Sequence, residues 1–244
     1  MIEHRPQIPT RDGACETFIC HPERGGPFPI VIFYMDAPAI REELRDMARR
    51  IAASGYYVML PNLYYRSGVL ELPSMTGPDA EAVRARMFEL MGSLSIPLVM
   101  SDTEGLLAHA AADGAAAPGS VGTVGYCMSG QYAANAATHF PDRVTAAASF
   151  YGVSLVTDRP DSPHLAGDKT KAELYFGCAE TDRWAPPEMV AALQASMSAS
   201  PARAEVEIYP GADHGFAFPQ RAVYNPRAAD RHWERLLALF ARNL

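Results

Sequence analysis

Short apolar runs alternate with amphipathic stretches along most of this chain. Residues 29–34 are continuously apolar and rich in β-branched and aromatic side chains, which is typical of a strand covered on both faces. Residues 40–53 place their apolar side chains on one helical face, and this spacing predicts a helix. Gly55 follows as a terminator, and residues 56–60 predict the next strand.

The same alternation continues to the C-terminus. Proline and glycine at residues 61–78 predict an excursion over the surface, and residues 153–170 predict a loop. The remaining patterns predict strands over 120–124, 145–151, a run from 174 and 204–209, and helices over 79–91, 96–112, 131–137, 186–199 and 227–241. We therefore expect one α/β domain over residues 1–244, with a mostly parallel, doubly wound sheet and helices on both faces.

Composition narrows the functional classes. Hydrophobic residues make up 48% and charged residues 20% of the 244 positions, which excludes a largely disordered chain. The net charge of −7 disfavours nucleic acid and anionic membranes as partners. The N-terminus lacks an apolar signal core, and no stretch approaches the roughly 20 apolar residues of a membrane span. We expect a cytoplasmic protein.

Four cysteines are scattered along the chain without a disulfide framework or the spacing of metal ligands: Cys15, Cys20, Cys127 and Cys178. This pattern favours reduced thiols in a reducing compartment, where a catalytic thiol stays usable. We expect no metal.

Gly125-Tyr126-Cys127-Met128-Ser129-Gly130 lies between a predicted strand and a predicted helix. This order is typical of a nucleophile elbow, with cysteine in place of the more usual serine. The following helix would direct N–H groups and its positive dipole end at the sulfur. A buried structural cysteine between glycines is the alternative.

Two further segments follow in the order nucleophile, acid, histidine. Asp182 follows the strand that starts at Leu174, and His214 follows the 204–209 strand. Both lie just past carboxyl ends of strands, where open α/β sheets place their active sites. We expect His214 to activate Cys127 and Asp182 to orient His214. The N–H groups of Met128 and Ala37 are the candidate oxyanion donors.

Several nearby residues have competing interpretations. Glu180 competes with Asp182, while Asp213 fits a turn and Cys178 fits core packing. Trp184 either lines a pocket or anchors the core. Tyr64, Tyr65 and Arg66 fit an exposed surface segment, and the other six histidines lack a supporting context: His4, His21, His109, His139, His164 and His232.

These motifs resemble the dienelactone hydrolase family, the cysteine branch of the α/β-hydrolases. The resemblance spans residues 29–240 and rests on Gly-Tyr-Cys-Met at 125–128, Leu-Pro-Asn-Leu-Tyr at 60–64, the segment 176–182 and Asp-His-Gly-Phe at 213–216. It implies the Cys127–His214–Asp182 triad and the Met128 and Ala37 oxyanion hole. It also implies hydrolysis of lactones such as carboxymethylenebutenolide without metal or organic cofactor.

The resemblance implies further site residues, with departures. Asp36 stands where the best-known members carry the glutamate that holds the resting thiol, and Ser129 stands where a glycine is usual. Of the two arginines that bind the substrate carboxylate in the family, Arg84 is the nearest match to one, with Arg86 next. The position of the other is Phe218, and Arg221 lies three residues beyond it.

The leading hypothesis is therefore a cofactor-independent hydrolase of small esters or lactones, acting through a thioester on Cys127. Without a second guanidinium, a substrate less polar than dienelactone is favoured unless Arg221 substitutes. The main alternative is a non-catalytic protein of the same fold that binds a small molecule or partner. A thiol-redox protein ranks last, because no second cysteine lies close to Cys127 in sequence.

Overall fold

A computed structural model describes all 244 residues, which form two compact units, Met1–Ala117 and Pro118–Leu244. Strands alternate with helices in both, as the apolar periodicity predicts. That the two units constitute one domain stays a prediction. No helix has the length and hydropathy needed to cross a membrane.

The first unit combines antiparallel and parallel strand pairs. Its strands follow the order β1-β3-β5-β4, in which β4 and β5 are parallel and β3 is antiparallel to both β1 and β5. Its elements are β1 (Ile2–His4), β2 (Gln7–Thr10), β3 (Gly13–His21), β4 (Phe28–Tyr34), α1 (Glu42–Ala53), β5 (Tyr57–Pro61), α2 (Ala80–Gly92) and α3 (Ile96–Ala112). In this unit, the strands and helices predicted from residue 29 onward are thereby confirmed.

The second unit carries four parallel strands in the order β6-β7-β8-β9. Its elements are β6 (Ala116–Tyr126, which begins two residues before the unit), α4 (Gly130–His139), β7 (Val144–Phe150), β8 (Glu173–Thr181), α5 (Pro187–Ala199), β9 (Ala204–Asp213) and α6 (Pro226–Ala241). Because all four strands run the same way, the segments that follow β6, β7, β8 and β9 meet at one edge. This edge carries the predicted nucleophile, acid and histidine.

The sequence patterns gave no sign of the N-terminal strands. β1 and β2 are short, mostly exposed and paired antiparallel to β3. Prolines within and beside such short strands hide the apolar alternation, because proline is more typical of turns and sheet edges. β3 is better patterned, since its second half is fully buried.

The predicted surface excursion at 61–78 is wrong in its first part. Tyr64 is 1% exposed, and its hydroxyl donates to the carbonyl oxygen of Ala37 at 2.9 Å. Tyr65 donates to Asp102 at 2.9 Å, and the Arg66 guanidinium contacts both carboxylate oxygens of Asp102 at 2.7 and 2.8 Å. Because Asp102 is 1% exposed, Arg66 is the ionic partner of a buried carboxylate and not merely a surface residue.

Replacing Arg66 by alanine should therefore lower the free energy of unfolding by about 3 kcal/mol, because a buried carboxylate loses its ionic partner. Urea unfolding at neutral pH measures this. Arg86→Ala is the matched control, since Arg86 pairs with Glu89 in an exposed i,i+3 pair on α2 and should cost at most about 0.5 kcal/mol. Equal losses in the two variants would contradict the buried-charge account.

Candidate active site

Cys127 occupies a strained turn between β6 and α4. Its φ is +54°, in the left-handed region that non-glycine residues rarely adopt. A 3₁₀ turn over Cys127–Ser129 leads directly into α4. The Val153 N–H donates to the Cys127 carbonyl at 3.1 Å and fixes the turn from the β7 side. The predicted order of a strand, a turn at Cys127 and a helix is confirmed.

Two glycines leave the space that this turn needs. A Cβ on Gly125 would lie 2.1 Å from the Ser129 carbonyl oxygen, and one on Gly130 would lie 2.2 Å from the Ser149 Oγ. Neither distance is possible without movement of the backbone or the neighbouring strand. Ser129 itself has a φ of −89°, so a side chain there causes no left-handed strain. The departure from glycine at Ser129 is therefore compatible with the elbow.

His214 is joined to Asp182 by a short hydrogen bond. The Nδ1 atom of His214 lies 2.7 Å from the Asp182 Oδ2, and the Asp182 carboxylate is fully buried. The other oxygen, Oδ1, accepts from the backbone N–H groups of Trp184 at 2.8 Å and Ala185 at 3.2 Å. These donors aim the carboxylate at the imidazole and stabilise its charged form. The predicted acid and histidine are therefore brought together.

Cys127 completes a chain of three side chains, since its thiol is hydrogen bonded to the His214 imidazole. Burial by itself would lower the pKa of His214. The hydrogen bonds to Asp182 and Cys127 and the negative charges of both partners outweigh burial and raise this pKa from 6.5 to about 9. His214 therefore carries a positive charge at neutral pH beside the sulfur of Cys127.

The contacts of Glu180, Asp213 and Cys178 account for these three residues without a catalytic role. Glu180 is exposed, and its carboxylate accepts from the Gly211 N–H at 2.7 Å. Asp213 is also exposed, and its carbonyl accepts from Phe216 in a turn. Cys178 is 2% exposed within β8, where burial raises the pKa of its thiol to about 12. Cys178 is therefore core packing, and Asp213 is a turn residue.

The candidate oxyanion donors are both buried, Met128 at 1% and Ala37 at 3% exposure. The Met128 carbonyl accepts from the Gln131 side chain at 3.0 Å, and Gln131 in turn accepts from Arg159 at 2.8 Å. Gln131 and Arg159 thus support the turn that carries the Met128 N–H. No sequence signal marked either residue, because the loop that brings Arg159 to α4 has no periodic pattern.

Asp36 is fully buried. Its carboxylate accepts from both terminal nitrogens of the Arg41 guanidinium, Nη1 at 2.6 Å and Nη2 at 3.2 Å. Arg41 also contacts Glu43, at 2.9 Å between Nη2 and Oε2. This bidentate arrangement fixes the orientation of the Asp36 carboxylate. The thiol-modulating role of Asp36 stays a prediction.

Phe218, which stands where the resemblance implies an arginine, belongs to the core. It is fully buried and packs against the rings of Tyr126 and Tyr151. The Arg221 guanidinium lies over the Phe218 ring, 4.7 Å from its centroid. A Cβ on Gly215, the residue after His214, would lie only 2.8 Å from an Arg221 nitrogen. Arg221 therefore brings a cation to the loop that carries His214.

The other two candidate substrate residues are exposed. Trp184 is 43% exposed with the Arg183 guanidinium over its ring, so a buried anchor is the wrong interpretation of this residue. Its clearest contribution is the backbone N–H that holds Asp182. Arg84 is exposed on α2 in the first unit. A role of either side chain in binding substrate stays a prediction.

Two residues near the triad were missed by sequence reasoning. Tyr151 follows β7 with a φ of +38°, and its ring meets the His214 imidazole edge-on at 5.2 Å between centroids. His232 is fully buried on α6 and contacts Tyr126. The only sequence signal for His232 was its place beside Trp233 on the apolar face of a predicted helix. No cluster of three or more His, Cys, Asp or Glu side chains is arranged to hold a metal ion.

Comparison with known proteins gives a consistent result. A family model described as the dienelactone hydrolase family matches residues 15–244. The "Putative carboxymethylenebutenolidase" of Synechocystis sp. is 29% identical over 242 residues, covering 97% of this chain and 95% of that protein. The protein of the same name in Escherichia coli is 26% identical over 238 residues, covering 96% of this chain and 84% of that protein.

Solved structures agree with the predicted fold class. The crystal structure of a "Putative Dienelactone Hydrolase" from Klebsiella pneumoniae is 26% identical, with a TM-score of 0.86 over 99% of this chain and 98% of that one. Dienelactone hydrolase from Anabaena variabilis superposes with a TM-score of 0.71 at 18% identity, over 100% of this chain and 98% of that one. The α/β-hydrolase fold, with its mostly parallel sheet and helices, is confirmed.

The raised pKa of His214 has a testable sign. Asp182→Asn and Cys127→Ala each remove a negative partner, so both should lower the pKa of His214 from its value near 9. NMR titration of the His214 imidazole measures this. Glu180→Gln is the matched control, because Glu180 contacts Gly211 and not His214. An unchanged midpoint in both triad variants would contradict the account.

The same pKa links folding stability to pH. An unfolded histidine titrates near 6.5, so the contribution of charged His214 to the free energy of unfolding is complete below that pH. It should be lost as the pH rises through about 9. Urea unfolding of wild type against His214→Gln across this range should show the difference shrinking with increasing pH. A difference that grows would contradict the raised pKa.

Proposed function

The chain belongs to the dienelactone hydrolase family, and we propose that it hydrolyses small esters or lactones through a thioester on Cys127. Family membership makes it a hydrolase. The observation that carries the proposal is the position of His214, which is hydrogen bonded both to Asp182 and to Cys127. A nucleophile, a base and an orienting acid in this order are the requirement of covalent acyl transfer.

Acylation begins with attack of the Cys127 thiolate on the substrate carbonyl carbon. The carbonyl π electrons move to oxygen, which gives a tetrahedral oxyanion. Collapse of this intermediate re-forms the carbonyl and breaks the bond to the leaving oxygen, which takes a proton from the His214 imidazolium. The product is a thioester on Cys127, and in a lactone the released hydroxyl stays attached to the acyl group.

Deacylation uses the same residues in reverse. Neutral His214 removes a proton from a water molecule, whose oxygen attacks the thioester carbonyl. The second tetrahedral intermediate expels the Cys127 thiolate and releases the carboxylic acid. Asp182 keeps the proton of His214 on Nδ1 throughout, because its carboxylate accepts from that nitrogen. No redox step or cofactor is required by this sequence of bond changes.

Both tetrahedral intermediates need N–H donors for the oxyanion. We assign one to Met128, the first residue after the nucleophile, where the 3₁₀ turn enters α4. Ala37 is proposed as the second. The Tyr64 hydroxyl binds the Ala37 carbonyl at 2.9 Å, which supports a fixed peptide at this position.

Asp36 is proposed to modulate the resting thiol. Its buried carboxylate needs a counter-charge, which Arg41 provides through two nitrogens. Because Arg41 holds the carboxylate in this way, the role we propose for Asp36 is that of a fixed negative charge and not of a side chain that swings. The His214 imidazolium is then the principal charge that stabilises the Cys127 thiolate.

For substrates, Arg221 is the candidate cation for a carboxylate such as that of carboxymethylenebutenolide. Its guanidinium lies against Gly215, next to His214, whereas Phe218 is buried in the aromatic core. We propose that Arg221 takes the place of the arginine that the family has at position 218. Arg84 and Trp184 are proposed only as residues at the margin of the substrate site.

Cys127→Ala should abolish hydrolysis of p-nitrophenyl acetate, lowering kcat/KM by at least about 1,000-fold because no covalent intermediate can form. Cys127→Ser should retain a small fraction of activity, since a hydroxyl is less easily ionised than a thiol. Cys178→Ala is the matched control, because Cys178 is a buried core thiol in β8. Equal turnover by wild type and Cys127→Ala would contradict the proposal.

Arg221→Gln should raise KM for cis-dienelactone by roughly 10- to 150-fold, the equivalent of one charge-assisted contact of about 1.5–3 kcal/mol. The KM for uncharged p-nitrophenyl acetate should change little. Steady-state kinetics with both substrates measures the difference, with Arg227→Gln on the exposed start of α6 as the control. An equal change for both substrates would contradict a carboxylate-binding role.

A further inference from the structure

A buried hydrogen bond lies directly behind the nucleophile. The hydroxyl of Tyr126, the residue before Cys127, is 2.6 Å from the His232 Nε2 on α6. Both side chains are fully buried. Nothing in the proposed chemistry of the triad uses either residue.

The direction of this bond follows from the other nitrogen of His232. His232 Nδ1 lies 3.2 Å from the carbonyl oxygen of Ala229, which can only accept. The proton is therefore on Nδ1, and in the neutral imidazole Nε2 accepts from the Tyr126 hydroxyl. The donor and the acceptor of this hydrogen bond are therefore both assigned.

Aromatic contacts extend this bond to the catalytic histidine. The Tyr126 ring packs against Tyr151 with 5.8 Å between centroids, and Tyr151 meets the His214 imidazole at 5.2 Å. Phe150 stacks on Tyr126 at 5.5 Å and meets His232 edge-on at 4.3 Å. Tyr126 is thus bonded covalently to the nucleophile and reaches His214 through a single intervening ring.

We propose that the Tyr126–His232 hydrogen bond is a positioning pair that holds the Cys127 thiol and the His214 imidazole within hydrogen-bond reach of each other. The role rests on the proposed thiol chemistry and adds two positioning residues to it. Neither residue touches substrate.

The physical reason lies in the strain of the elbow. Cys127 keeps a φ of +54° only if its neighbours hold it there, and Tyr126 is the last extended residue before the turn. Ring contacts prefer certain arrangements, but they hold a ring less specifically than a hydrogen bond to its hydroxyl does. The hydrogen bond to His232 fixes the far end of the Tyr126 ring and with it the register of Tyr151 against His214. Displacing reacting groups by 1 Å can cost about 100-fold in rate.

Two measurements on Tyr126→Phe and His232→Leu test this. The first is kcat and KM for p-nitrophenyl acetate. The second is the pH dependence of Cys127 alkylation by iodoacetamide, which needs no ester turnover and follows thiolate formation. We expect kcat to fall about 10- to 100-fold with KM nearly unchanged, and the alkylation midpoint to move to higher pH.

Matched variants separate positioning from general stability. His232→Gln keeps an acceptor near the position of Nε2, so it should restore most of kcat and the wild-type alkylation midpoint. Tyr57→Phe is the structural control, because it removes another fully buried tyrosine hydroxyl, bonded to Asp113 at 2.7 Å in the first unit. It should alter stability but neither kinetic readout. If His232→Leu does not fold, Tyr126→Phe carries the test with the ring intact.

A wild-type kcat and alkylation profile in Tyr126→Phe would overturn the proposal, as would equal losses in Tyr57→Phe. Failure of the proposed function is distinguishable. In that case wild type would not hydrolyse the ester at all, while the alkylation midpoints would still show whether the Tyr126–His232 bond positions the thiol.

Discussion

The two hydrogen bonds of the His214 imidazole are the interactions on which the rest of the site depends. Asp182 and Cys127 both hydrogen bond to it, and together they keep the imidazole charged at neutral pH although burial opposes that charge. In our proposal, this imidazolium supplies the positive charge beside the sulfur when Cys127 attacks the substrate. Each of the three groups therefore depends on the other two.

Backbone geometry supplies the precision that this chain of bonds needs. Cys127 is held at positive φ by a turn that tolerates no side chain at Gly125 or Gly130. The parallel strands β6, β8 and β9 bring Cys127, Asp182 and His214 to one edge of the second unit. In our proposal, the Tyr126–His232 hydrogen bond behind the turn then fixes the distance between the Cys127 thiol and the His214 imidazole.

Sequence patterns predicted what depends on local order and periodicity. The elbow, the strand ends and the order of Cys127, Asp182 and His214 could be identified because parallel strands make their carboxyl ends converge. The contacts of Arg66 with Asp102, Gln131 with Arg159 and Tyr126 with His232 could not. Each of these contacts joins residues far apart in the chain, through loops or helix faces whose spacing has no period. For Phe218, the sequence indicated an unusual residue type at that position but not that the side chain is buried. Tyr64 looked exposed because prolines and glycines surround it, yet its ring is buried.

The identity of the acylated residue tests the role of Cys127 most directly. Rapid acid quenching during turnover of p-nitrophenyl acetate, followed by peptide mass spectrometry, would locate the acyl group. We predict one acetyl group on Cys127 that appears before the steady state and disappears when substrate is exhausted. Two results would contradict the central role of Cys127. One is turnover with the acetyl group on another side chain, and the other is turnover without any covalent adduct in a variant whose deacylation is slowed.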